Sequence, residues 1–422
     1  MTAVAKDVAE QTGKTLDVVI ATHQHTDHLS GFKQADAVFR VGNIEMKRLW
    51  LAWTEDPRNP LGKKIQRELV RKLAAVRAAA AKLSALDHAT ADRVRSVLDF
   101  FGPAASDASS TQAILNALQK RTDVDINYFS PGDVFILPEV PNVRVYVLGP
   151  PTDPAQLKIT NPRKSKREGY EIAAGATGFI DALEPSEERN PELTYPFEKW
   201  YRRDASRMKH AKFFEQHYFG PDENGLSQKW RQIDTAWLEA AEEVALALND
   251  FTNNTSLALV FEFIDSGEVL LFPGDAQIGS WLTWDNLVWK VTDPNGAKRE
   301  VRVADLLPRV VFYKGSHHAS HNGTLTGYIA KDGLGLEQMT HPDLICVVPV
   351  DREMSKKMGW DRTLPWDPLL KRLGEKTRGR LVLTDRKETP PDPKKLGTLS
   401  ATERKRFAKQ VVVTDNWVDY TL

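Results

Sequence analysis

Thr22-His23-Gln24-His25-Thr26-Asp27-His28-Leu29-Ser30-Gly31 is the stretch on which the reading of this chain turns. It follows Leu16-Asp17-Val18-Val19-Ile20-Ala21, a short apolar run with β-branched residues. Such a run reads as a buried strand that delivers the histidines on the loop at its end. In an extended segment alternate side chains share a face, so His23 and His25 point the same way and can chelate one cation. Asp27 and His28 come after the turn and can face a second position nearby. Neutral imidazole and carboxylate are ligands that zinc, manganese and iron all accept.

Two later strand ends carry related chemistry. Leu271-Phe272-Pro273-Gly274-Asp275-Ala276 is an apolar strand running into Gly-Asp. Gly274 permits a tight turn and Asp275 emerges at the strand edge, either as a site carboxylate or as a simple turn residue. Phe312-Tyr313-Lys314-Gly315-Ser316-His317-His318-Ala319-Ser320-His321 again takes an apolar strand into a histidine-bearing loop. Adjacent side chains diverge, so His317 and His318 are not expected to bind the same ion. Lys314 reads either as a phosphate contact or as a surface lysine at a strand end.

The stretch T-H-Q-H-T-D-H-L-S-G after an apolar strand resembles the metal-binding signature of the metallo-β-lactamase superfamily. The resemblance implies that His23 and His25 bind a first metal and that Asp27 and His28 bind a second. It implies that Asp275 bridges the two and that His318 completes the second. His317 is the alternative ligand there, or it orients the ligand or protonates a leaving group, and His321 is a weaker candidate. The expected cofactor is Zn2+, one or two ions, with Mn2+ or Fe also admitted. The expected chemistry is hydrolysis by metal-activated water, with Asp27 able to accept a proton.

Asn253-Asn254-Thr255-Ser256-Leu257, Pro273-Gly274-Asp275-Ala276 and His317-His318-Ala319-Ser320 resemble relatives of the C-terminal domain of the competence protein ComEC. So do Pro365-Trp366-Asp367-Pro368-Leu369-Leu370-Lys371-Arg372-Leu373 and Leu381-Val382-Leu383-Thr384-Asp385. That likeness favours a phosphodiester substrate, a nucleic acid or a nucleotide. A lactone or thioester hydrolase, or a catalytically weak binding protein of the same fold, is the alternative.

Two departures stand out. Many superfamily hydrolases carry a further histidine between the first motif and the bridging aspartate, but Val147-Leu148-Gly149-Pro150 has none. The histidines in the interval, His88, His210 and His217, lie in helical or polar stretches. The first metal would then keep His23, His25 and Asp275 alone, and a one-metal enzyme stays open. The family also has several strands and an Asp-containing turn before its first helix, whereas this chain starts at the helix. The expectation is that the reading frame continues upstream into those strands.

The expected fold is therefore α/β: a single metallo-β-lactamase αββα sandwich over 1–422, with its N-terminal strands missing and with large insertions. The insertions fall at 40–130, read as helical from the spacing of Ile65, Leu69, Leu73, Val76, Ala80 and Leu83, and at 151–250, polar and then helical. The second contains a basic run, Lys158, Arg163, Lys164, Lys166 and Arg167. It reads as solvated surface or as a phosphate-backbone contact.

Composition sets outer limits. The 422 residues hold 57 basic and 57 acidic side chains, so global charge argues for no polyanionic partner, and nucleic acid must be argued from a local patch. A single cysteine, Cys346, excludes an intramolecular disulfide and any cysteine-cluster zinc site. No apolar run reaches the roughly 18 residues of a membrane span, and Met1–Lys14 lacks a signal-peptide core. The expectation is a cytoplasmic protein without a membrane partner.

Overall fold

A computed structural model describes residues 1–84, 88–104, 107–159, 208, 210–221, 225, 228, 236–326, 335–385 and 398–422. The chain divides into two compact units, one of residues 1–70, 98–166 and 247–422, the other of residues 71–97 and 167–246.

Among the described residues the strands all lie in the first unit. In chain order they are β1 (Thr15–Leu16), β2 (Val19–Ile20), β3 (Glu45–Met46), β4 (Arg48–Ala52), β5 (Asp125–Phe129), β6 (Val134–Ile136), β7 (Val143–Gly149) and β8 (Ala258–Phe263). There follow β9 (Val269–Phe272), β10 (Val288–Thr292), β11 (Lys298–Arg302), β12 (Val310–Lys314), β13 (Ile345–Val348), β14 (Leu381–Leu383), β15 (Val411–Val413) and β16 (Val418–Tyr420). A parallel three-stranded sheet runs β2-β4-β5, and a mixed seven-stranded sheet runs β14-β13-β12-β9-β8-β7-β6. In the larger sheet β6 to β9 are antiparallel, whereas β9, β12, β13 and β14 are parallel.

The period of two in each strand sorts side chains into layers. From β4, Trp50 and Ala52 pack against Val145, Val147 and Leu259 of the larger sheet, forming the core between the sheets. Leu49 and Leu51 point the other way, onto Leu29 of the helix Thr26–Gln34 and Ile114, Leu115 and Leu118 of the helix Thr111–Gln119. From the larger sheet, Tyr146, Leu148, Val260, Leu271 and Tyr313 face outward. They meet Trp281 and Trp284 of the helix Ile278–Trp284 and Leu369 and Leu373 of the helix Asp367–Lys376. The order helix, sheet, sheet, helix is the mixed α/β sandwich expected of the metallo-β-lactamase fold. The small sheet does not cover all of the large one. Over β12, β13 and β14 the inner face is covered instead by Leu399, by Phe407 of the helix Ala401–Gln410 and by the β15–β16 hairpin.

Residues 40–130 contain the anticipated helices Pro60–Leu83, His88–Leu98 and Thr111–Gln119, but they also contribute β4 and β5. These two strands complete the small sheet. Leu49 through Ala52 are buried on both faces, so the run shows no polar alternation to mark it as a strand.

The regular elements described in the second unit are helices. Leu73, Val76 and Ala80 are buried, as are Val94, Ala241 and Val244. Arg93 Nε lies 2.9 Å from Glu242 Oε2. Arg163, Lys164, Lys166 and Arg167 of the basic run fall outside the described residues, as do Trp230 and Ile233; Lys158 is described and exposed. Among the described residues no helix is long and apolar enough to cross a membrane.

Candidate metal centre

The C-terminal ends of β2, β9 and β12 meet at one edge of the sandwich. Parallel pairing of β9 with β12, Leu271 opposite Tyr313, fixes two of these ends side by side. The third is tied in where Leu257 N–H donates to the Thr22 carbonyl. Each end carries one of the quoted motifs.

After β2 the chain turns through His23 and His25, and His25 is the N-cap of the helix Thr26–Gln34. Asp27 therefore sits in a first helical turn, where the helix dipole favours a carboxylate. After β9, Gly274 takes φ +63° and presents Asp275. A Cβ on Gly274 would lie 2.9 Å from Ser256 Cβ. Ser256 Oγ accepts from the Asp275 N–H at 3.0 Å, so both the conformation and the space require glycine. Gly274→Ala is expected to lower stability by about 1–3 kcal/mol and to weaken metal binding by displacing Ser256 from Asp275. Thermal unfolding with and without added metal would check both.

After β12, His317, His318 and Ala319 take φ of +45°, +53° and +59°, a left-handed run without glycine. Such residues cost on the order of 1–3 kcal/mol each and persist only where their surroundings hold them. Here Ser316 Oγ donates to the Ala276 carbonyl at 2.7 Å, and Ser316 N–H donates to Tyr313 OH at 3.2 Å. Trp366 N–H donates to the Ala319 carbonyl at 2.9 Å. The half-buried His317 ring is held by Ser320 Oγ at 2.6 Å and by Asn253 Nδ2 at 3.0 Å, with Gln277 Nε2 and Asn322 Oδ1 at 3.3 Å. With both nitrogens so engaged, His317 anchors the turn that delivers His318.

Asp27, His28, Asp275 and His318 offer ligand atoms that all lie within 4.8 Å of one another. His28 Nε2 is 3.3 Å from Asp27 Oδ2 and 3.2 Å from Asp275 Oδ2. His318 Nε2 is 3.0 Å from Asp27 Oδ2 and 3.2 Å from Asp275 Oδ2. The far nitrogens are fixed as well. His318 Nδ1 donates to the Pro349 carbonyl at 2.7 Å, and His28 Nδ1 is 3.1 Å from Thr22 Oγ1. A donated Nδ1–H leaves Nε2 as the ligand nitrogen of a neutral ring, the arrangement that outer hydrogen bonds impose on metal-binding histidines. By ligand chemistry and orientation these four residues fit a divalent cation.

His23 and His25 stand beside this group rather than in it. His23 Nε2 faces His25 Nδ1 at 3.0 Å, and His23 Nδ1 lies 3.1 Å from both Thr22 Oγ1 and Ser256 Oγ. His25 packs its ring against Phe101, and its buried Nε2 has no hydrogen-bond partner among the described residues. Gln24, between them, donates to Glu55 Oε2 at 2.6 Å and to Gln66 Oε1 at 2.7 Å. Glu55 was not singled out from the sequence; burial pushes its carboxyl up to about 7 against the hydrogen bonds from Gln24 and Gln66. His210 and His217 are exposed, and no described cluster includes them. The His88 side chain lies outside the described residues.

The electrostatics divide the histidines. Burial lowers His28 and His318, but the carboxylates of Asp275 and Asp27 outweigh it and push them up to about 9 and about 10. Burial raises Asp27 and Asp275, but the neighbouring cations win and hold both well below the usual carboxylate range; Lys314 leads for Asp275. Burial dominates for His25 and His317, pulling each down to about 4, and it pulls His23 well down too.

Without metal, the two raised histidines stabilise the fold fully below their ordinary value of 6.5. That contribution is lost as pH rises through about 9 and about 10. The two depressed aspartates stabilise above their ordinary 3.8 and lose that contribution as pH falls through their folded values. A cation must displace the protons on both rings, so its affinity is expected to rise between pH 7 and 10. Calorimetry at pH 7 in buffers of different ionisation enthalpy should record release of about two protons per ion. No proton release would contradict this electrostatic picture.

Residues 2–103 match the metallo-beta-lactamase superfamily. The match includes the His23–His28 turn, whereas Asp275 and His318 lie beyond it and are joined to Asp27 and His28 by the fold itself. No curated protein and no solved structure matches the chain.

Proposed function

We propose that this chain is a metal-dependent hydrolase acting on phosphodiesters, with the cation held by Asp27, His28, Asp275 and His318. The observation that carries the reading is the convergence of these four ligands from three loops at one edge of the sandwich. The superfamily match at residues 2–103 points to the same general chemistry. Zinc is the first candidate, because imidazole and carboxylate suit it, and manganese or iron fits the same donors. A cation bound there supplies Lewis acidity and brings the pKa of water towards neutrality.

The protein's own groups have distinct parts. Asp27 is a carboxylate at neutral pH and has the most accessible side chain of the four, 36% exposed. It is placed to take a proton from attacking water. Asp275, Ser256 and Thr22 fix the ligand directions. His317, the sequence candidate for leaving-group acid, acts in this reading as the anchor of the His318 turn. The phosphodiester preference is supported by the resemblance of 253–276 and 309–324 to relatives of the ComEC C-terminal domain. A nucleic acid or nucleotide is the corresponding substrate class, and the cytoplasm the corresponding compartment.

The test is a comparison of bis-p-nitrophenyl phosphate, single-stranded DNA and a simple lactone with the Zn2+- or Mn2+-loaded chain. Phosphodiester turnover that is lost with chelator and restored by metal is expected. Turnover of the lactone alone would overturn the substrate class. Absence of turnover with metal bound would overturn the enzyme reading and favour a binding protein.

A further inference from the structure

We propose that the ammonium of Lys314 stands in for a second cation, so that the centre takes one metal ion per chain. The inference rests on the metallohydrolase reading above and concerns what Asp275 does with its second oxygen.

The two oxygens of Asp275 are divided between two tasks. Oδ2 lies 3.2 Å from both His28 Nε2 and His318 Nε2, inside the four-residue ligand group. Oδ1 lies 2.8 Å from Lys314 Nζ. A carboxylate that joins two metal ions offers charge to both and offsets their repulsion. Here the second direction is taken by a positive charge attached to the chain.

That charge is held in place by the fold. Lys314 ends β12, and Asp275 follows the end of its parallel neighbour β9. Lys314 Nζ also donates to the Gly274 carbonyl at 2.7 Å, and its side chain is only 16% exposed. The ammonium is thus bound to the same short turn that presents the aspartate.

The remaining donors for a second ion are few. His23 Nε2 and His25 Nδ1 face each other at 3.0 Å. Among the described residues no other group of three His, Cys, Asp or Glu ligands forms. Two imidazoles fall short of the three protein ligands usual at a catalytic zinc position. Charge points the same way. Asp27 and Asp275 balance one dication, and Lys314 adds a further positive charge beside them. A second dication would be unbalanced in a largely buried space, where repulsion is screened little.

The test is metal stoichiometry of the full-length chain, by native mass spectrometry and by calorimetric titration with Zn2+. The wild type should take one equivalent. Lys314→Met frees Asp275 Oδ1 to join His23 and His25 as a third donor, and this variant should take two. Lys314→Arg keeps a cation and should stay at one, and the double variant Lys314→Met with His25→Ala should fall back to one. Circular dichroism confirms folding, and Lys314→Gln replaces the methionine variant if that one does not fold. Two equivalents in the wild type would overturn the inference while leaving the metallohydrolase reading intact. One equivalent in both the wild type and the neutral variants would overturn the role of Lys314. No metal in the wild type would instead defeat the metallohydrolase reading on which the inference stands.

Discussion

Asp275→Asn lowers metal affinity by on the order of 100-fold or more and takes hydrolytic activity with it. Asp275 is 1% exposed and is shared by His28, His318 and Lys314. An asparagine keeps the volume and removes the charge that each of these partners faces. The same change has a signature without metal. Asp275 is the largest influence raising both His28 and His318, so their rings should titrate well below the about 9 and about 10 of the wild type. NMR titration of the histidines checks this independently of catalysis. Unchanged titration would mean that the carboxylate does not face these rings in solution.

Trp281→Ala is expected to cost about 3–5 kcal/mol of stability, the usual range for emptying a fully buried tryptophan site. Trp281 is wholly buried, its ring centroid is 4.1 Å from that of Trp284, and its indole N–H donates to the Gly323 carbonyl at 3.0 Å. Its helix begins directly after the Asp275 turn, and Gly323 lies on the loop that follows His318. One side chain therefore braces two of the three ligand-bearing loops. Metal affinity should fall along with stability. Trp289→Ala removes a tryptophan of equal size from β10, against Tyr146 and the Asp133 carbonyl. It should lower stability while leaving metal affinity close to wild type. Urea unfolding and metal titration of both variants distinguish bracing of the site from general loss of core.

What could be read from the sequence followed the physics of strand ends. Each ligand motif is an apolar run that stops at a chemically specific residue, and such stops survive in sequence because burial ends where the loop begins. Asp27, His28, Asp275 and His318 were named from the family resemblance that these stops carry, and their ligand atoms lie within 4.8 Å of one another in the structure. The existence of β7 was legible as an apolar run, but it is buried along its whole length, so the division of Val145 and Val147 from Tyr146 and Leu148 between its two faces is a finding of the structure.

The parts that stayed hidden depend on relations across the chain. β4 carries no alternation, because Leu49 and Leu51 are covered by helices while Trp50 and Ala52 are covered by the second sheet. The separation of His23 and His25 from the four-residue group depends on loop geometry rather than on the spacing of the motif. The left-handed run at His317–Ala319 carries no glycine to announce it and is held by tertiary hydrogen bonds. Glu55 became a site neighbour only when the turn Trp53–Glu55 after β4 placed it against Gln24. Lys314 was visible as a strand-end lysine, but its contact with Asp275 needs the parallel pairing of β9 and β12.

The identity of the ligands is tested most directly by crystals grown with Zn2+ and measured on either side of the zinc absorption edge. The expected anomalous map has a peak within about 2.0–2.2 Å of His28 Nε2, His318 Nε2 and the carboxylate oxygens of Asp27 and Asp275. A peak held by His23 and His25 without His318, or no peak at these three loops, would contradict it.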